Sequence, residues 1–266
     1  MNPEETTCIG IDISTGRHPV TFLAIDHDCR LLAQGNGQID DVLAFCAGQS
    51  AARVAINAPS QTNHKVMARQ EVRLSLFPDL SPGRWTHLRL AEFALHEAGI
   101  SIPRTGETEK ECPSWMRLGF KVYHHLQEFG YQPYPGGGEA DRQWLETQSD
   151  AAYWSLMNHV VPFTGKTLEG RLQRQLVLHE AGLPVSDAMR FFEELTRYRL
   201  LHGILPLENI YTPEELNAWA AAYTAWCSIN RPESLIQFGD QEEGIIFLPI
   251  RIKENNSRRG FSDVSY

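Results

Sequence analysis

The order of elements across residues 8–57 constrains this chain more than any other feature. Three short runs rich in β-formers, residues 8–14 (CIGIDIS), 20–25 (VTFLAI) and 31–34 (LLAQ), are separated by turn-forming residues at 16–19 and 26–28. Runs this close pair as an antiparallel meander. Residues 40–47 then carry Val42, Leu43 and Phe45 at helical spacing, and residues 53–57 (RVAIN) form a short buried strand. A strand reached through a crossover helix runs parallel to the strand it joins. The expectation is a mixed α/β sheet with the meander at one side and residues 53–57 parallel to the first strand.

Further along, residues 60–84 are polar and irregular, with Pro78 and Pro82 as breakers. Helices are predicted over 88–97 and 115–129 from apolar residues at i, i+3, i+4. The segment 130–138 (GYQPYPGGG) interrupts the chain, 143–147 reads as a strand and 150–157 as a short helix. Helices over 167–181, 186–202 and 212–228 follow. The last opens with Thr212 as N-cap, Pro213 in the first helical position and Glu215 completing a capping box. Residues 235–238 and 244–250 suggest a hairpin. One domain over 8–250 is expected, with an insertion at about 60–140 and a frayed tail at 251–266.

Composition narrows the class. Hydrophobic residues at 42% supply a core and exclude a disordered chain. No apolar run reaches the roughly 20 residues that cross a bilayer. Five scattered cysteines without a CxxC pair argue against a disulfide framework and against zinc, and for a reducing cytoplasm. A net charge of −9, with 33 acidic against 24 basic residues, makes tight nonspecific nucleic-acid binding an unexpected default. It leaves room for an acidic metal site or a local basic patch.

Few motifs carry chemistry. Asp12 lies inside an apolar strand, where an acid is costly unless paired, hydrogen-bonded or holding a metal; capping the turn at 14–16 is the plainer role. Asn57 closes its strand before Ala58-Pro59, and strand ends of α/β sheets are where sites collect. Glu146 precedes Ser149-Asp150-Ala151. Gly165-Lys166-Thr167 invites a phosphate-loop reading, but Val160 stands where that loop needs its first glycine. Lys166, Arg171 and Arg174 still put three cations near a helix start, either meeting phosphate or simply solvated. LHEAG at 95–99 and at 178–182 lacks the second histidine of a zinc protease and reads as two helix endings.

In order, these segments, with the small-residue run near 218–225 and the closing strand at 243–249, resemble the domain of unknown function 429 family, predicted nucleases of the ribonuclease H-like fold. The resemblance spans roughly 9–249. It implies a five-stranded mixed sheet flanked by helices, and carboxylates converging on Mg or Mn for phosphodiester hydrolysis, with nucleic acid as partner. The family's Gly-x-Asp matches Asp12, and its Ile-Asp-Ala-Pro falls on Asn57. The Glu of its Glu-x-x-Pro matches Glu146, with Ser149 in place of proline, and its late-helix Asp-Ala falls on Asn217-Ala218. Its Lys-x-x-x-Gly-Arg matches Lys166, Gly170 and Arg171.

Two of the four mapped ligands are thus asparagines, which offer a carbonyl oxygen but no charge. Asp12 and Glu146 remain as metal-binding anions, and Glu214, three residues before Asn217 on the same helix face, is placed to supply a displaced acid. Such a site is expected to be a weak or inactive nuclease. A catalytically dead binding or scaffold protein is the competing reading. A third is a nucleotide-dependent phosphotransferase of the actin-like group, whose first strand also carries Gly-Ile-Asp followed by Ser/Thr and Gly, as over 12–16. That group repeats its unit, and no second Asp-Gly-Thr strand is visible here.

Overall fold

A computed structural model describes residues 3–13, 20–76, 85–136 and 140–251. The turn at 14–19, the breakers Pro78 and Pro82 and the tail beyond 251 lie outside the described residues. The meander forms as expected: β1 (Thr7–Ile13) pairs antiparallel with β2 (Val20–Ile25), and β2 with β3 (Leu31–Gly37). Helix α1 (Ile39–Ala47) then leads to β4 (Ala52–Asn57), which lies parallel to β1.

The sheet does not stop at five strands. β6 (Arg142–Thr147) pairs parallel with β4, the two-residue β5 (Gln132–Pro133) touches its start, and β8 (Gly244–Pro249) runs parallel on its far side. β7 (Leu235–Asp240) closes the edge antiparallel to β8. The result is an eight-stranded mixed sheet in the order β3-β2-β1-β4-β6-β8-β7, with β5 beside β6. The expected terminal hairpin therefore joins the main sheet, adding strands that local sequence patterns do not assign to any neighbour.

Helices cover both faces. Alternation along β1 sends Ile9, Ile11 and Ile13 to one side, where they pack with Val42 of α1 and with Val122 and Leu126 of α4 (Ser114–Glu128). Cys8, Gly10 and Asp12 face the other side. That face is covered by α9 (Pro213–Asn230), with α3 (Leu90–Glu97), α5 (Ser149–Leu156) and α6 (Leu168–Glu180) beside it. The remaining helices are short: α2 (Gln70–Leu76), α7 (Arg190–Glu194) and α8 (Arg197–Leu201). The single helix expected over 186–202 splits into α7 and α8 because the Thr196 hydroxyl accepts from the Arg199 amide and starts a new helix.

α9 sits directly on β1. Its capping box forms as its sequence predicts, with Thr212 and Glu215 exchanging side-chain and backbone bonds. Ala218, Ala220, Ala221, Ala222 and Ala225 are all buried, and a Cβ built on Gly10 would stand 2.1 Å from the Ala218 carbonyl oxygen and 2.2 Å from the Ala222 nitrogen. Only a glycine on the strand and small residues on the helix permit this approach.

Because both clashing atoms at Gly10 are backbone, Gly10→Ala must lift α9. The expected loss is about 3 kcal/mol or more, the upper end of overpacking costs, read from urea unfolding. Gly48→Ala, where an added Cβ meets nothing closer than 3.6 Å, is the near-neutral control.

Candidate functional site

Three parallel strands end together beneath a cleft of about 550 Å³. Asp12 pairs in register with Asn57, and Asn57 with Thr147. Asp12, Asn57, Glu146 and Asn217, far apart in sequence, all line this one cleft, as do Glu214, Lys166 and Arg174. Arg171 does not. Its guanidinium donates to the Tyr211 and Ile210 carbonyls at 2.7 Å each and fixes a loop, which corrects the expected phosphate role.

Asp12 is buried and held by amides. Asn57 Nδ2 donates to Asp12 Oδ1 at 2.5 Å, and Asn57 is oriented for this because its Oδ1 accepts from the Ser149 amide at 2.9 Å, at the start of α5. Burial pushes the Asp12 carboxyl up to about 7; hydrogen bonds from Asn57 and Asn217 pull it down, Glu214 raises it and Arg174 lowers it. Asn217 Oδ1 in turn accepts from Arg174 Nη1 at 3.1 Å, and Arg174 Nη2 is paired with Asp150. Below, the Arg174 guanidinium stands 4.9 Å from the Tyr153 ring, whose hydroxyl donates to the Leu216 carbonyl. The loop over Arg174 explains the glycines of the GKT segment. A Cβ on Gly165 would meet the guanidinium at 2.5 Å, and one on Gly170 would meet the Thr164 carbonyl at 2.1 Å. They are packing glycines, while Lys166 projects, exposed, at the cleft wall.

Glu146 belongs to a different network. Side chains alternate along β6, so Thr147 stands in line with Asn57 and Asp12 while Glu146 is offset from them toward the start of α3. There its Oε1 accepts from Arg89 Nη2 at 2.6 Å, and its Oε2 accepts from Arg89 Nη1 at 3.2 Å, from Ser60 N at 2.8 Å and from Ser60 Oγ at 2.7 Å. Arg89 also binds Glu92 through Nε at 3.0 Å and the Glu243 carbonyl at 2.9 Å. Arg89, Glu92, Glu146 and Glu243 are all buried. Burial works against the Arg89 charge, but Glu146 and Glu92 outweigh it and leave the guanidinium firmly protonated. Glu243 spends its carboxylate on the Val66 and Leu90 amides, and Gly244 closes the network, since a Cβ there would crowd Ser60 and Glu146.

This donor set does not fit the divalent metal that the sequence resemblance implies. Asn57 and Asn217 are neutral. Both Glu146 oxygens are engaged by a cation already present, and the Asn57 amide already occupies Asp12 Oδ1. Glu146 is therefore a partner of Arg89 rather than an available metal ligand, which corrects its expected role. Glu214 lines the cleft, but it acts on Asp12 as a like charge.

Arg89, Ser60 and Thr105 carry no sequence signal that places them at the site, and Asp150 is marked only by its motif beside Glu146. Arg89-x-x-Glu92 was visible as an i,i+3 pair, but nothing local joined it to Glu146. Thr105 Oγ1 and Arg174 Nε, on buried residues of the cleft wall, have no hydrogen-bond partner among the described residues. The chain matches no family model, no curated protein and no solved structure.

Two outcomes follow. Folded Asp12 titrates near 7 against 3.8 for an ordinary aspartate, so the folded chain holds a proton that the unfolded chain releases. This contribution to stability is complete below about 3.8 and is lost as pH rises through about 7. Urea midpoints should fall between pH 4 and 8 more steeply in the unaltered protein than in Asp12→Asn. Separately, Arg89→Met leaves Glu146 and Glu92 buried without their cation. It should cost about 3–5 kcal/mol, partly restored by adding Glu146→Gln, in the same assay.

Proposed function

We propose that the protein is a ribonuclease H-like member of the nuclease lineage in which metal-dependent phosphodiester hydrolysis has been lost and the cleft retained for ligand binding. The order β3-β2-β1-β4-β6, with only β2 reversed among these five, supports the lineage. The β8–β7 hairpin extends that sheet. One continuous sheet runs through the described residues. A phosphotransferase of the actin-like group, built on two such units, is less well supported by that single sheet.

One observation carries the loss of hydrolysis: three of the four acids lining the cleft, Asp12, Glu146 and Asp150, are already satisfied from within, which leaves only Glu214 among the described residues. Two-metal hydrolysis needs several free anionic oxygens. Here amides serve Asp12, Arg89 serves Glu146 and Arg174 serves Asp150. The retained binding role rests on the open cleft and on Lys166, which projects exposed at its wall. Lys166 is the one cleft-lining cation among the described residues without an acidic partner, which suits a phosphate-bearing ligand better than a long nucleic acid on a chain of net charge −9.

Mn²⁺ titration calorimetry and cleavage of single- and double-stranded nucleic acid test this reading. The unaltered protein is expected to bind Mn²⁺ only weakly and to cleave neither substrate. Asn57→Asp combined with Asn217→Asp should tighten Mn²⁺ binding at least about tenfold, about 1.4 kcal/mol, and adding Asp12→Asn should remove the gain. Metal-dependent cleavage by the unaltered protein, abolished by Asp12→Asn alone, would overturn the proposal. An unchanged Mn²⁺ affinity in the double variant would remove its descent from a metal site.

A further inference from the structure

The segment between α6 and α9 leaves the body of the protein and returns to the place it left. Gln175, fully buried on α6, donates from Nε2 to the Ser186 carbonyl, the Ser186 hydroxyl and the Asn209 carbonyl, each at 2.8 Å, and accepts from the Tyr211 amide at 3.0 Å. Ser186 Oγ also donates to the Asn209 carbonyl at 2.9 Å, so the two ends are stitched to each other. Between them α7 and α8 form an arm whose large apolar side chains mostly face outward. Met189, Phe192, Tyr198, Leu200, Leu201, Ile204, Leu205 and Leu207 are all exposed, Leu201 to 73%. These eight make up most of the exposed large hydrophobics among the described residues, concentrated in one short stretch, whereas Phe191 alone anchors α7 inward. Scattered surface leucines need no explanation, but a concentration of this kind marks an interaction surface.

We infer that this arm is the contact through which two copies of the chain associate. The eight, each between 38% and 73% exposed, together present on the order of several hundred Å² of apolar surface, comparable with what one partner of a standard interface buries. The charges on the arm suit its own copy better than a partner of one sign. Arg190, Arg197 and Arg199 alternate with Asp187, Glu193, Glu194 and Glu208, so the surface carries both members of each pair a twofold contact requires. In an isologous interface each residue meets another of the same patch, and a two-fold pairing can set Arg190 or Arg197 of one arm against Glu193 of the other, while Glu194 and Glu208 pair with Arg199 within the arm. An anionic membrane would instead favour a basic rim, and here the acids outnumber the arginines.

Sedimentation velocity up to about 100 μM, where a micromolar contact is nearly complete, reads the outcome directly. The expected species has twice the 30.1 kDa chain mass. Tyr198→Glu with Leu201→Glu, two exposed positions, should raise the dissociation constant at least about a hundredfold and give monomer, with an unchanged thermal melt of the circular dichroism signal once melts are compared at concentrations where both are monomeric. A protein that is monomeric throughout, or a dimer that survives the double substitution, overturns the inference. So does a monomer that instead co-sediments with phosphatidylglycerol vesicles, which would assign the arm to a lipid surface.

Discussion

The contact of α9 with β1 at Gly10 is the constraint on which the rest of the arrangement depends. An α/β sheet normally keeps a helix about a side chain's depth away, but here helix backbone meets strand backbone. Ala218 touches Gly10, so the residue before it, Asn217, is delivered to the residue two beyond Gly10, which is Asp12. The cleft's chemistry is therefore set by how closely two backbones pack. The alanine run that permits this also explains why α9 is buried nearly all round instead of showing an apolar stripe and a wet face.

Two solutions to the same electrostatic problem lie side by side at the strand ends. A buried carboxylate must be protonated, hydrogen-bonded or paired. Glu146 is paired: it receives a full guanidinium in two-point contact, a strong geometry for an acid inside a protein. Asp12 receives amide dipoles instead of a paired cation, and burial pushes its carboxyl up to about 7. Asn57 can give its amide hydrogens to Asp12 only because the Ser149 amide occupies its oxygen, so the start of α5 decides which way the asparagine faces. An aspartate at position 57 would accept from Ser149 equally well but would bring a like charge against Asp12.

Much of the fold was legible in the sequence because it rests on local signals. Tight turns between β-rich runs gave the meander, the helix before Arg53 gave the parallel strand, and Thr212-Pro213-Glu214-Glu215 gave the start of α9. What escaped was set by distant partners. Nothing in residues 235–249 says that their hairpin extends the main sheet, and nothing near Thr196 outweighed the apolar periodicity that suggested one helix. In the cleft, the resemblance brought Asp12, Asn57, Asn217 and Glu146 to one place, but the Ser149 amide, Arg174 and Arg89 that orient or pair with Asn57, Asn217 and Glu146 came from elsewhere. Which face Glu146 takes depends on the register of β6 against β4, and a displacement by one residue reverses it. Arg89 lies 57 residues from Glu146 and is joined to it only by tertiary structure.

The stitched base of the α7–α8 arm has a consequence for how the chain can change over generations. Because Ser186 and Asn209 are tied to each other and to Gln175, the sheet experiences only a fixed gap between two neighbouring points, whatever lies beyond it. Lengthening a closed loop costs little, since each doubling adds only about 0.6 kcal/mol of closure entropy. The arm can accordingly gain, lose or exchange residues while the cleft and its carboxylates keep their places. One buried glutamine thus separates the length of the arm from the geometry of the strand ends.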